Sequence, residues 1–155
     1  LSRSSLYESF GSKQGLFDQA LGNYCRTNRE GVKALLSNEK SVKSGIRNLL
    51  ESSIHCTISD ADKKGCFVVN STTELVPGDD EMLKALSKNR ASFEKVFFEF
   101  LQKGQATGEI PPNKDIKTLS GLIYTVFSGL NVIAKLEKSP KKLMAQIDQI
   151  VGLLD

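Results

Sequence analysis

Apolar residues recur at spacings of three and four along nearly the whole chain, the period of an amphipathic helix. Leu16, Phe17, Ala20, Leu21, Tyr24 and Cys25 predict a helix that starts at Ser12 and runs to about Leu36. Gly22 and Gly31 each weaken it by roughly 1 kcal/mol against alanine. A loop over 37–41 follows, then a helix from about Ser41 that turns Val42, Ile46, Leu49, Leu50, Ile54 and Ile58 inward. After a polar turn at 59–65, the run Cys66-Phe67-Val68-Val69-Asn70 has the propensity of a strand. A lone strand has nothing to pair with in a helical chain, so the expectation is a helix to about Leu75, stopped at Pro77-Gly78.

Asp79-Asp80-Glu81 supplies a cap and an acidic first turn for a long helix carrying Met82, Leu83, Leu86, Phe93, Val96, Phe97, Phe100 and Leu101, expected to close at Lys103-Gly104. Pro111-Pro112 lies in a loop. Asn113 or Asp115 opens the next helix, with Ile116, Leu119, Leu122, Ile123, Val126, Phe127, Leu130 and Ile133 as its apolar positions. Ser139-Pro140 is a cap followed by proline at the first helical position, which starts a final helix bearing Leu143, Met144, Ile147, Ile150, Val151 and Leu154. The predicted fold class is all-α.

These last two helices are too apolar for one small domain to cover. Either both pack wholly inside the protomer, or they form a hairpin that pairs with a second copy into a four-helix bundle. The second arrangement predicts an interface of Leu119, Leu122, Val126 and Gly129 with Ile147, Ile150, Val151 and Leu154. The aromatic stripe at Phe93, Phe97 and Phe100 is either core or the wall of a hydrophobic pocket. His55, the only histidine, is expected to be partly buried or to line that pocket.

The 155 residues suit one domain, or one domain and part of another. With 39% hydrophobic and 25% charged residues the composition is that of an ordinary soluble chain, and the net charge of +3 comes from scattered bases, with no run of five. No apolar stretch is expected to reach membrane-spanning length, and no signal peptide is visible, so the expectation is a cytoplasmic protein without a membrane partner. Cys25, Cys56 and Cys66 are an odd number at spacings no metal site uses. They read as reduced thiols, two or three of them buried as small hydrophobes, or as a redox pair of Cys56 with Cys66. No metal, cofactor or catalytic constellation is indicated: there is no nucleophile–base order, carboxylate pair or glycine-rich phosphate loop.

The candidate chemistry lies at the start, in Ser2-Arg3-Ser4-Ser5-Leu6-Tyr7-Glu8-Ser9-Phe10-Gly11-Ser12-Lys13. Ser2 can cap a short helix in which Leu6 and Phe10 share a face, Gly11 stops it, and Ser12 caps the next. Read alone, this is either an exposed helical stub or a helix fitted to a DNA major groove. In the second reading small side chains admit the backbone, an arginine reads guanine edges, and Tyr7 and Lys13 hold phosphates.

The order Leu6-Tyr7, Phe10, Lys13, Leu16 resembles the end of the helix-turn-helix of TetR-family (tetracycline-repressor-like) transcriptional regulators, and Gly65-Cys66-Phe67-Val68-Val69-Asn70 resembles a short buried helix common there. The resemblance implies phosphate contacts from Tyr7 and Lys13 and groove contacts from Arg3, Ser4 and Ser5. It also implies two further helices ahead of this stretch, so the chain is expected to be a fragment that needs them to bind DNA. It divides the chain into the end of a DNA-binding domain, 1–20, and a helical effector-binding and dimerisation domain, 21–155.

The implied partners are a palindromic operator, a second copy of the chain, and a largely apolar small molecule. The pocket for that molecule is expected among His55, Phe67, Phe93 and Phe97, with Phe100, Tyr124 and Phe127. The implied function is a ligand-responsive repressor. The alternative is a dimeric helical carrier or interaction module for a hydrophobic ligand, without DNA binding.

Overall fold

The structure is a computed structural model that describes residues 10–155. Its elements are α1 (Lys13–Ser37), α2 (Val42–Ser59), α3 (Phe67–Leu75) with a 3-10 turn at Val76–Gly78, α4 (Asp80–Thr107), α5 (Ile116–Ile133) with a 3-10 turn at Ala134–Leu136, and α6 (Lys141–Gly152). There is no strand among the described residues. The segment with strand-like propensity is helical because it packs on α1, α4 and α5 and has no neighbouring strand to bond.

The helix starts are set by side chains that satisfy free backbone N–H groups. Ser12 Oγ accepts from Gly15 N at 2.9 Å, Asp79 Oδ1 from Met82 N at 2.9 Å, and Asp115 Oδ1 from Thr118 N at 3.0 Å. For α2 the cap comes from two places. Ser41 Oγ accepts from Ser44 N at 3.3 Å, and the distant Glu109 takes Val42 N at 2.7 Å and Lys43 N at 2.8 Å. Helix α6 starts at Lys141 with Pro140 as its N-cap and no side-chain cap, one position later than Ser139 as cap and Pro140 as first helical residue would put it.

Gly104 does not close α4, contrary to the sequence expectation; the helix continues to Thr107 and ends on Gly108 at φ 77°. Gly104 is small for another reason. A Cβ there would lie 2.9 Å from Ile110 Cδ1 and 3.1 Å from Val42 Cγ2, so its absence lets α2 and the following loop close on α4. Gln105 fastens that loop, donating to the carbonyls of Pro111 and Lys114, each at 3.1 Å.

Two apolar clusters result. The larger joins Val32 and Leu36 of α1, the inward faces of α2, α4 and α5, and Leu143, Ile147 and Leu154. Phe97, Leu101, Ile46, Leu50 and Ile54 are fully enclosed in it, each worth roughly 1.5–3 kcal/mol of burial. The smaller is formed by Leu21, Cys66, Val68, Met82 and Leu86, with Phe17, Tyr24 and Phe67 against it. Leu21 meets Met82 and Leu86, while Lys33 and Leu36 border Val96 and Phe100, so α1 and α4 run side by side in the same direction.

Helix α5 corrects the expectation about apolar length. With its 3-10 extension, Ile116–Leu136 is long and apolar enough to cross a membrane by length and composition. It packs on α4 and α2 through Ile116, Ser120, Ile123 and Leu130, with Tyr124 and Phe127 against the larger cluster, and leaves Leu122, Val132 and Ile133 exposed.

Candidate functional site

A cleft of about 820 Å³ lies between α1 and α4. Helix α1 lends it Gln14, Asp18, Leu21, Gly22, Cys25 and Arg29, spaced to share one face, and α4 lends Met82, Ala85, Leu86, Asn89 and Ser92. Asp18, Asp79 and Glu81 lie at the end nearer the start of both helices, while Arg29 and Lys88 lie further along, so the cleft is acidic at one end and basic at the other. Its middle is apolar. Among the described residues Arg29, half-buried, has no carboxylate partner, and both polar atoms of the buried Asn89 amide have no hydrogen-bond partner.

A second feature adjoins the cleft. Tyr24 Oη donates to Cys66 Sγ at 3.8 Å, and the Phe67 ring meets Phe17 and Tyr24 edge-on at 5.4 and 5.7 Å. Burial, reinforced by Cys66, pushes the Tyr24 phenol up to about 12, so it stays a donor. Burial also raises the Cys25 thiol, against a smaller lowering by Arg29. All three cysteines are free thiols: Cys66 is buried, Cys25 half-buried, and Cys56 exposed on α2 beside Ser53 and Phe127.

The pocket residues expected from sequence do not converge. His55 is exposed, which corrects its expected partial burial; it lies on the outer face of α2, one position past the buried Ile54. Phe93 and Phe97 are sealed in the larger cluster, their rings against Tyr124 and Phe127 at 5.8 to 6.4 Å, and Phe100 is 5% exposed. Phe67 belongs to the smaller cluster. Tyr124 borders a separate hollow of about 340 Å³ with Arg90 and Ser128.

Reasoning from sequence missed Arg29 and Asn89. Asn89 leaves a visible signal, since it occupies the apolar stripe of α4 between Leu86 and Phe93, where a polar residue is out of place.

Of the expected interface residues, Leu122 is exposed and Leu119, Val126, Gly129, Ile150 and Val151 are half-buried on the outer side of α5 and α6. Ile147 and Leu154, each 1% exposed, lie inside the protomer, which corrects their assignment to an interface. Leu153, Val132, Ile133 and Leu136, the last 78% exposed, join the open apolar face instead. Of the expected DNA-contacting residues, Lys13 is exposed in the first turn of α1; Arg3, Ser4, Ser5 and Tyr7 lie outside the described residues.

Comparison with known proteins agrees with this architecture. The profile described as "Tetracyclin repressor-like, C-terminal domain" matches residues 43–150. The chain is 32% identical over 149 residues to the HTH-type transcriptional repressor ComR of Escherichia coli strain K12, covering 96% of this chain and 69% of that one. It is 26% identical over 156 residues to the HTH-type transcriptional regulator YezE of Bacillus subtilis strain 168, covering 100% and 80%. Among solved structures it superposes on a cysteine mutant of the TetR-family regulator CifR complexed with 26 bp operator DNA, with a TM-score of 0.87 at 28% identity, covering 100% of this chain and 81% of that one. Reduced NemR of E. coli shares the fold, with a TM-score of 0.81 at 18% identity over 100% of this chain and 81% of that one. The chain therefore belongs to the TetR, or tetracycline-repressor-like, family of transcriptional regulators.

Proposed function

We propose that the protein is a homodimeric, cytoplasmic repressor that releases a palindromic operator when a small molecule binds its helical domain. The observation that carries this reading is α1. Its N-terminal cap follows directly on the stretch expected to read DNA, and its remainder lines the cleft and enters both apolar clusters. Residues 1–20 act with the DNA-binding unit and 21–155 hold the ligand and the partner. Arg3, Ser4 and Ser5 make groove contacts, and Tyr7 and Lys13 hold phosphates. The open face of Leu122, Val126, Ile150 and Leu153 pairs with its copy across a twofold axis, which fixes the distance between two recognition helices. A ligand shifts the balance only by its differential affinity for the two spacings.

The test is a titration of the full-length protein against its own upstream DNA with a scrambled duplex as control. Saturable dimer binding, tighter than the control by about 10³ or more, is expected. Equal binding to both duplexes by folded protein would turn the reading to a dimeric carrier.

A further inference from the structure

We propose that the cleft between α1 and α4 is a binding site for an N-acyl amino acid or a like amphiphile, one that carries an apolar chain, an amide and a carboxylate in that order. This deepens the reading of the protein as a ligand-responsive regulator and rests on it. Three features of the wall select the chemistry. Leu21, Met82 and Leu86 give an apolar middle that suits a hydrocarbon chain. Asn89, 6% exposed, lies on that wall with its amide N–H groups and carbonyl enclosed and unpaired, a demand met by a group that itself carries an N–H beside a C=O. Arg29, on the facing helix and unpaired among the described residues, calls for an anion, and a carboxylate matches its planar fork.

A buried polar group without a partner is an energetic liability that folded chains seldom carry. Here it stands in the apolar stripe of α4, where leucine would pack without penalty. A ligand that satisfies the amide removes the liability only in the bound state, which makes Asn89 a means of discrimination. The amide atoms are out of reach of water as the cleft stands. Contact with the ligand therefore requires the Asn89 side chain to turn into the cleft, whose other wall is α1, the helix that leads back to the DNA-facing segment.

The test uses the full-length protein without DNA and three probes in calorimetric titration: N-octanoylglycine, its methyl ester, and octanoate. The expected result is saturable binding of N-octanoylglycine, with the ester weaker by about tenfold or more for want of a charge-assisted hydrogen bond to Arg29, and octanoate weaker by about tenfold for leaving the Asn89 amide unpaired. Arg29→Gln should erase the preference over the ester. Asn89→Leu should erase the preference over octanoate while raising Tm, because it removes the unpaired amide and keeps the fold. Equal affinity for the three probes, no binding of any of them, or preferences that survive both substitutions would overturn the proposal. None of these readouts contains an operator, so the site stands or falls separately from the titration with upstream DNA.

Discussion

Glu109 caps α2 from 67 residues away: its carboxylate takes the backbone N–H of Val42 at 2.7 Å and that of Lys43 at 2.8 Å, and accepts from the Ser41 hydroxyl. Burial alone would raise its carboxyl, but these donated bonds and the Lys43 charge outweigh burial and hold it below the ordinary glutamate value. A group depressed in the folded state stabilises above its unfolded value, and that contribution disappears as pH falls through the folded one. Glu109→Gln should therefore lower stability by about 1 kcal/mol at neutral pH, the usual worth of a cap. The gap between variant and parent should narrow as pH is taken below about 4.3. Thermal melts across pH decide this; a gap independent of pH would remove the carboxylate from the account.

Gly45 of α2 lies against the Phe100 ring, where an added Cβ would sit 2.6 Å from Cζ. On an exposed helix Gly→Ala gains up to about 1 kcal/mol. Here the ring is enclosed in the larger cluster and cannot swing away, so overpacking wins. Gly45→Ala should cost about 1–3 kcal/mol. A melt showing unchanged or higher Tm would mean that the ring yields.

Leu122 is on the outer side of α5 and 37% exposed, so a charge there can reach water. If the proposed dimer forms through this face, Leu122→Glu should leave helix content intact and give a monomer in sedimentation where the parent is a dimer. A variant that stays dimeric would move the interface off this face.

Lys13 stands exposed in the first turn of α1, just past the left-handed Gly11. In the full-length protein Lys13→Ala should weaken binding to operator and scrambled DNA alike. The slope of log affinity against log salt should flatten by about 0.9, one phosphate contact. A change in sequence preference with the slope unaltered would assign Lys13 to base reading.

The helices were legible because their apolar period and caps agree: Ser12, Asp79 and Asp115 stand where the stripes begin. Gly104 was misread because a glycine that ends a helix and one that admits a neighbour look alike in one dimension; only the approach of Val42 and Ile110 separates them. The aromatic stripe of α4 pointed to a pocket, but rings at this spacing close on one another when α5 supplies Tyr124 and Phe127. His55 was misplaced for a similar reason, since its neighbour Ile54 takes the inward position. The cleft itself depends on two helices 60 residues apart lying side by side, which no local pattern records, although Asn89 marks one wall of it.

The division into two apolar clusters bears on how such a protein can change over generations. The larger cluster holds most of the buried apolar residues, and the cleft borders the smaller one. Apolar replacements of similar volume at Leu21, Met82 or Leu86 change the lining of the cleft and leave the larger cluster untouched. On the reading proposed here, new ligands are tried by drift in a few side chains while the helices of the larger cluster are inherited unaltered.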